Sequence, residues 1–230
     1  MKVACLFSGG KDSTFTLYWA LNQCWDVKCL VSLIPENKES YMFHTPNINL
    51  SEMQARALCI PLIKQSTHGE KEKELKDLKK ALKIAKDKYE ITGVIVGALY
   101  SDYQQERVNR ICHELKLKTF APLWHKKQDY LVQEMIENEF KIIIIHIASY
   151  GLTKDFLGKM IDMGILNRLK ELNKKYHIHV GGEGGEFETF VVDCPIFRKK
   201  VLIEKADVEM EDENTGTYAI RKARLVDKTR

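Results

Sequence analysis

Apolar positions in the first half of the chain come in short runs separated by longer amphipathic stretches. Val3-Ala4-Cys5-Leu6-Phe7 is an unbroken run of strand length, after which Phe15, Leu17, Tyr18, Trp19 and Leu21 recur at helical spacing from Ser13 to about Gln23. The alternation continues. Val27–Ile34 reads as a second strand, and a polar loop follows through Pro35, Asn37, Pro46 and Asn49. Ser51 can cap a helix to about Cys59, and Pro61–Gln65 is a short strand. Glu70–Tyr89 is a long helix with Leu75, Leu78, Leu82, Ala85 and Tyr89 on one stripe. Gly93–Gly97 reads as a buried strand. The segment from Asp102 to Leu115 is a helix with Val108, Ile111, Cys112 and Leu115 inward, and Thr119–Ala121 is a short strand. Strands separated by helices imply a parallel sheet covered on both faces.

After Pro122 the pattern changes. A helix is expected over Asp129–Asn138, a buried strand with four consecutive isoleucines over Lys141–Ile147, and a helix over Asp162–Tyr176 with Ile165, Leu166, Leu169 and Leu172 inward. Phe187–Val192, Val201–Met210 and Thr217–Val226 are strand-like, and Asn214-Thr215-Gly216 suits a turn joining the last two. The fold class is therefore α/β, a Rossmann-like parallel-sheet domain over 1–122 and a smaller α+β domain over 123–230, with the boundary near 120–127.

Composition narrows the function. The 230 residues are 44% hydrophobic and 30% charged, as in an ordinary globular protein. No apolar run is long enough for a membrane helix and no signal peptide is legible, so a cytoplasmic location away from membranes is expected. The net charge of +4 is too balanced to make nucleic acid the main ligand, and no stable nucleic-acid binding is expected. Much of the basic excess lies in Lys71–Lys88, on the polar face of the long helix, where lysines serve solvation. None of the six cysteines is spaced C-x-x-C, which speaks against a zinc ribbon or a redox pair. Cys5, Cys29, Cys59 and Cys112 sit in apolar patterns and are expected to be buried. His177 and His179 alternate as in a strand, but two ligands make no metal site, and a structural role is expected.

The chemistry is concentrated in two places. Ser8-Gly9-Gly10-Lys11-Asp12-Ser13 follows the first strand and opens the first helix. Glycines let backbone N–H groups approach a ligand, the helix N-terminus aims further N–H groups and its positive dipole end at the same point, and Ser8, Lys11 and Ser13 add donors. That is a phosphate cradle. Neither G-x-x-x-x-G-K-[ST] nor G-x-G-x-x-G fits it. The plainer alternative is a glycine turn with Asp12 or Ser13 as helix cap. Ligands on parallel sheets bind at the carboxyl ends of the strands, so Ser8–Ser13 and Ala98–Gln104 should converge. The other dense cluster, Gly181-Gly182-Glu183-Gly184-Gly185-Glu186-Phe187-Glu188-Thr189, is poor helix and poor strand material. It is either a surface turn or a loop that presents carboxylates to a ligand.

The order Ser-Gly-Gly-x-Asp-Ser resembles the signature of the N-type ATP pyrophosphatases. Taken in order with Tyr41-Met42-Phe43-His44, Gly97-Ala98-Leu99-Tyr100-Ser101-Asp102-Tyr103-Gln104, Pro122-Leu123-Trp124 and the glycine–glutamate loop, it resembles the diphthine–ammonia ligase family over essentially the whole chain. Two positions depart from the family pattern: Phe187 where Tyr is frequent, and Phe156 where Trp is expected before Leu-Gly. The resemblance implies an adenine nucleotide alpha hydrolase-like first domain that binds ATP and a second domain that binds the acceptor. It also implies the amidation of diphthine on elongation factor 2 by ammonia, through an acyl-adenylate, with release of AMP and pyrophosphate.

On this reading Ser8, Gly9, Gly10, Lys11 and Ser13 contact phosphates, Lys11, Asp12 and Asp102 are catalytic, and Asp12 and Asp102 are candidate Mg²⁺ ligands, with helix capping as their plainer role. Met42 and Gly97 are candidate adenine contacts. Gln104 and Arg107, one helical turn apart, reach phosphates or acceptor. The implied acceptor carries a trimethylammonium group, which suits aromatic faces and carboxylates. Trp124, Phe187, Glu183, Gly184, Gly185, Glu186 and Glu188 are therefore assigned to it, across a cleft between the domains. Free ammonium is the simplest nitrogen source, and homo-oligomerisation is left open. The alternatives are a tRNA-modifying adenylating enzyme of the thiolation or lysidine type, against which the missing cysteine pair counts, and a non-catalytic nucleotide-binding regulator.

Overall fold

The computed structural model describes residues 1–35, 50–67, 73–97 and 102–228, with the backbone alone at Pro35, Lys73 and Asp102–Gln104. The chain divides into two compact units, Met1–Trp124 and His125–Arg230.

The first unit runs β1 (Lys2–Leu6), α1 (Lys11–Asn22), β2 (Asp26–Pro35), α2 (Ser51–Leu58), β3 (Leu62–Thr67), α3 (Lys73–Tyr89), β4 (Gly93–Ile95), α4 (Asp102–Glu114) and β5 (Lys118–Phe120). Its five strands form one parallel sheet in the order β3-β2-β1-β4-β5. From β1 the chain winds outward through β2 to β3, then returns to the opposite side of β1 for β4 and β5. The switch point therefore lies between β1 and β4, the position at which parallel sheets of this topology bind ligands, beyond the carboxyl ends of the strands. The expected doubly wound α/β architecture is what forms. Leu75, Leu78, Leu82 and Ala85 are buried along α3 and pack with Ala4, Val31, Val94 and Ile111 in one core. Lys76, Lys79, Lys80 and Lys83 face outward, so the lysine-rich stretch is a solvated helix face.

The second unit contains α5 (Gln128–Glu137), β6 (Lys141–Ala148), a 3-10 turn at Lys154–Phe156, α6 (Met163–Tyr176), β7 (Phe187–Asp193), β8 (Lys199–Met210) and β9 (Thr215–Asp227). The four strands form an antiparallel sheet in the order β7-β6-β9-β8. Successive residues of a strand point to opposite faces. Ile142, Ile143, Ile144 and Ile145 are all buried, so β6 is covered on both sides. The start of α6 is fixed by Asp162, whose Oδ1 accepts a hydrogen bond from Ile165 N at 2.8 Å.

Some local expectations fail for identifiable reasons. Ser51 does not cap α2. Leu50 already has helical backbone angles and no side-chain cap bond, and Ser51 is buried inside the first turn. Cys59 is exposed rather than buried, because it ends α2 in the left-handed conformation at φ 56°, which turns it out of the helix. Cys194 is buried in addition to the other three. The β8–β9 turn comes earlier than Asn214-Thr215-Gly216. Asp212 Oδ1 accepts from Asn214 N and Thr215 N, both at 2.7 Å, and closes the turn ahead of β9. The Asn214 amide, first among these donors, holds the Asp212 carboxyl below its ordinary range. Among the described residues no helix is long and apolar enough to cross a membrane.

Two measurements follow from this packing. Removing the cap with Asp162→Ala costs about 1 kcal/mol and lowers the urea midpoint, whereas Asp162→Asn stays near wild type. An unchanged Ala variant contradicts the capping role. Burial pushes the Cys29 and Cys194 thiols up to about 12, and those of Cys5 and Cys112 upward as well. A raised thiol pKa keeps the group protonated and unreactive in neutral solution. Iodoacetamide at about pH 8 therefore alkylates Cys24 and Cys59 in the native protein and every cysteine in urea. Native labelling of Cys29 contradicts the packing.

Candidate functional site

At the carboxyl end of β1 the chain makes a closed glycine turn into α1. Gly9 sits at φ +83°, a conformation that favours glycine. Gly10 is the N-cap of α1 in extended conformation, and no side chain caps the helix. Neither Asp12 nor Ser13 is the cap, so the plainer alternative for the motif does not form. The N–H groups at the start of a helix lack intrahelical partners, and a helix start without a capping side chain is a favourable place for an anion.

The side chains around this end are organised inward. Ser8 Oγ lies 3.1 Å from Ser13 Oγ and accepts from Gly10 N at 3.3 Å, while Ser13 Oγ donates to Gly10 O at 3.2 Å. Thr14 Oγ1 donates to the same carbonyl at 2.8 Å. Lys11 is 4% exposed, and its Nζ lies 2.7 Å from Asp12 Oδ2. A buried ammonium and a carboxylate in contact offset part of each other's desolvation. The other oxygen, Asp12 Oδ1, is buried and has no hydrogen-bond partner among the described residues. An unclaimed carboxylate oxygen suits a hard cation. Mg²⁺ ordinarily takes one or two carboxylates and completes its shell with phosphate oxygens and water, so Asp12 fits it.

Gly97, beyond β4, belongs to the same place. A Cβ there would lie 2.8 Å from Ser13 N and 2.9 Å from Asp12 C, so only glycine lets the backbone after β4 press against the start of α1. The structure thus brings Ser8, Gly9, Gly10, Lys11, Asp12, Ser13 and Gly97 together. Arg107 is half-buried in α4, and Trp124 is half-buried at the end of the first unit. Met42 lies outside the described residues, as do the side chains of Asp102 and Gln104. One neighbour of the cradle belongs to no sequence motif. Gln54 of α2 is fully buried, and its Nε2 donates to Gly9 O at 2.9 Å. The legible signal was Ser51 and Gln54 on the same face as Ala55 and Leu58, two polar residues where α2 should be apolar.

In the second unit the glycine–glutamate loop is built around Glu186. Its Oε1 accepts from His179 N at 2.8 Å and meets His179 Nδ1 at 2.6 Å, and its Oε2 accepts from Gly184 N at 2.8 Å. A carboxylate only accepts, so the His179 bond requires the proton on Nδ1. Gly181 N donates to Gln128 Oε1 of α5 at 2.8 Å, and Gly182 and Gly185 take φ of +73° and +85°. Glu186 therefore shapes the loop instead of standing open to a ligand. Glu183 and Glu188 are half-exposed, and Gly184 and Gly185 are exposed.

Two expectations are corrected here. Phe187 is 3% exposed with its ring beneath Gly182, so it offers no aromatic face to a ligand. His177 and His179 do not alternate along a strand. His177 ends α6 at φ 59°, and His179 is the partner of Glu186. Phe156, the other departure from the family pattern, is buried with the Arg168 guanidinium 4.3 Å from its ring centroid. Among the described residues no group of three or more His, Cys, Asp or Glu is placed to hold a metal ion.

The chain matches the family model described as diphthamide synthase N-terminal domain over residues 1–119, and the diphthamide synthase C-terminal domain over residues 127–226. It is 39% identical over 227 residues to a Bos taurus protein named diphthine–ammonia ligase, covering 90% of this chain and 85% of that protein. A Danio rerio protein of the same name is 35% identical over 252 residues, covering 100% of this chain and 98% of that one. A solved structure described as a predicted subunit of tRNA methyltransferase from Methanocaldococcus jannaschii overlaps 76% of this chain and 88% of that one, at 14% identity and a TM-score of 0.41, too loose to bear on the site.

The contact at Gly97 is open to a direct check. Gly97→Ala inserts a methyl against backbone that cannot swing aside, so it destabilises the first unit by about 1–3 kcal/mol. Chemical denaturation reads the loss. A variant as stable as wild type contradicts the close approach of Gly97 to Asp12 and Ser13.

Proposed function

The chain belongs to the diphthamide synthase family, and from that premise we propose that it is an AMP-forming carbon–nitrogen ligase acting on the carboxylate of diphthine in elongation factor 2. The observation that carries the nucleotide half of this reading is the uncapped start of α1, ringed by Ser8, Gly10, Lys11 and Ser13 at the β1/β4 switch point.

A carboxylate does not exchange its oxygen for ammonia unaided, because oxide is too poor a leaving group. ATP solves this in two displacements. A carboxylate oxygen attacks the α-phosphorus, the α–β phosphoanhydride bond breaks, and pyrophosphate leaves with the electron pair. Ammonia nitrogen then attacks the acyl carbon, a proton is lost from nitrogen, and AMP leaves as the amide forms. The first displacement needs the phosphates held in line and the negative charge of the departing pyrophosphate stabilised. The N–H groups at the start of α1, the Ser8 and Ser13 hydroxyls and the Lys11 ammonium gather at the same helix end, which supplies the positive potential that stabilises developing phosphate charge. Asp12 orients Lys11 through Oδ2 and offers Oδ1 to Mg²⁺, which when bound neutralises phosphate charge. Gly97 and Met42 are assigned to the adenine, Asp102 along with Asp12 to Mg²⁺, and Gln104 and Arg107 to the phosphates or acceptor.

The acceptor belongs to the glycine–glutamate loop. An acidic loop would repel triphosphate, whereas Glu183 and Glu188 suit a cationic acceptor, with Gly184 and Gly185 allowing close approach. Glu186 contributes by holding the loop in shape. Trp124 is assigned an acceptor contact, and free ammonium supplies the nitrogen. The family match leaves the tRNA-modifying and regulatory alternatives without support.

Product analysis tests the reaction. Incubation with ATP, ammonium and elongation factor 2 carrying diphthine yields AMP, pyrophosphate and the amidated acceptor. ADP and phosphate would sink the mechanism. Asp12→Asn keeps the shape and lowers turnover about a hundredfold or more.

The division of labour has its own test. Glu186→Gln weakens acceptor-dependent AMP formation, while affinity for a non-hydrolysable ATP analogue changes by less than about threefold. Lost nucleotide affinity with normal acceptor binding overturns it.

A further inference from the structure

We propose that Gln54 is a positioning residue of the nucleotide site, which locks the Gly9–Gly10 peptide plane so that the Gly10 N–H, not the Gly9 carbonyl, lies on the Ser8 hydroxyl side of the cradle. This rests on the nucleotide-binding half of the function proposed above.

Gln54 is polar, fully buried and on the inner face of α2, a position where an apolar side chain would suit the fold better. Its Nε2 donates to Gly9 O at 2.9 Å. Its carboxamide also fills the space beside the Gly9 α-carbon. A Cβ at Gly9 would come within 3.0 Å of the Gln54 carboxamide carbon, so residue 9 is glycine in part to admit Gln54.

The consequence follows from peptide geometry. In a planar trans peptide the carbonyl and the following N–H point in opposite directions. Holding the Gly9 carbonyl toward Gln54 therefore turns the Gly10 N–H the other way, toward Ser8 Oγ at 3.3 Å, inside the ring of donors. Two adjacent glycines otherwise make this peptide easy to flip, because glycine populates both signs of φ. Flipped, the plane would present a carbonyl oxygen where the cradle needs a donor, and an anion would be repelled.

Three substitutions separate positioning from simple packing. Gln54→Met keeps the size and removes the donor. Gln54→Glu keeps the shape and sets a carboxyl against the Gly9 carbonyl. Leu58→Ala, on the same buried face of α2, removes packing alone. Affinity for a non-hydrolysable ATP analogue is measured by calorimetry beside thermal unfolding of each variant. The proposal expects Gln54→Met and Gln54→Glu to bind the analogue about tenfold more weakly, and Leu58→Ala to lose stability with affinity within about twofold of wild type. In turnover the Gln54 variants raise KM for ATP and leave KM for ammonium unchanged. If wild type binds the analogue and Gln54→Met binds it equally well, the positioning role is overturned while the nucleotide site stands. If Leu58→Ala weakens binding as much as Gln54→Met, the effect is packing and the proposal fails. If wild-type protein binds no adenine nucleotide, the functional reading fails and this inference falls with it.

Discussion

A helix that begins inside a folded unit must find partners for its first N–H groups, and α1 begins with none supplied by a side chain. Much else in the first unit follows from that. The cap position is Gly10, which has no side chain to offer. The nearby hydroxyls of Ser8, Ser13 and Thr14 bond among themselves and to the Gly10 carbonyl. Gly97 brings the backbone after β4 against the same end. A fold selected for stability alone would close this position with Asp or Ser at the cap, a gain of about a few tenths of a kcal/mol over glycine. Leaving it open makes sense for a helix end whose partner is a bound anion.

The glycine–glutamate loop is the contrasting case. There a carboxylate is satisfied internally, by the His179 and Gly184 amides and the His179 ring. A nine-residue segment with four glycines has little to hold it in one conformation, since glycine loses more backbone entropy on ordering than any other residue. Glu186 and the Gly181–Gln128 bond supply the restraint. The outer positions Glu183, Gly184 and Gly185 are then presented by a defined loop, and Glu188 follows in β7. One part of the motif sets the conformation and another meets solvent.

These two cases show why some of the structure was legible in the sequence and some was not. Long-period patterns came through. The α3 stripe from Leu75 to Ala85, the four isoleucines of β6 and the strand–turn–helix at Ser8–Ser13 each repeat one preference over many residues, so tertiary context reinforces them. Single-residue inferences were weaker, because one competing contact decides them. Ser51 has the right side chain for a cap, yet the helix starts one residue earlier and buries it. Cys59 follows an apolar helix face, yet a left-handed backbone turns it outward. His177 and His179 alternate on paper, yet one ends a helix and the other bonds a glutamate far along the loop. Glu186 could be read as a carboxylate, but its partners are set by folding. The role of Gln54 is not legible in the sequence, because an isolated polar residue in a short helix has meaning only once its neighbour, the Gly9 carbonyl, is known.

The distribution of buried polar groups gives the last step. Burying a polar group costs about 1–3 kcal/mol unless a hydrogen bond compensates. In the first unit Lys11, Ser13, Ser32, Ser51, Gln54 and Thr67 are all buried. In a parallel α/β unit each helix starts beyond the carboxyl end of the strand before it, so Lys11, Ser51 and Gln54 lie at the same edge of the sheet as Thr67, the last residue of β3. Ser32 donates to Phe7 O, at the carboxyl end of β1, at 2.5 Å. Core packing would place apolar groups at these positions, as it does in the middle of β1 and of α3. Concentrating polar atoms along one edge makes that edge less stable and more selective, because an atom such as Asp12 Oδ1, without a partner among the described residues, gains one when a cation binds. The edge that topology marks for a ligand is thus also the edge where the sequence gives up apolar burial, and two independent physical criteria converge on the loop after β1.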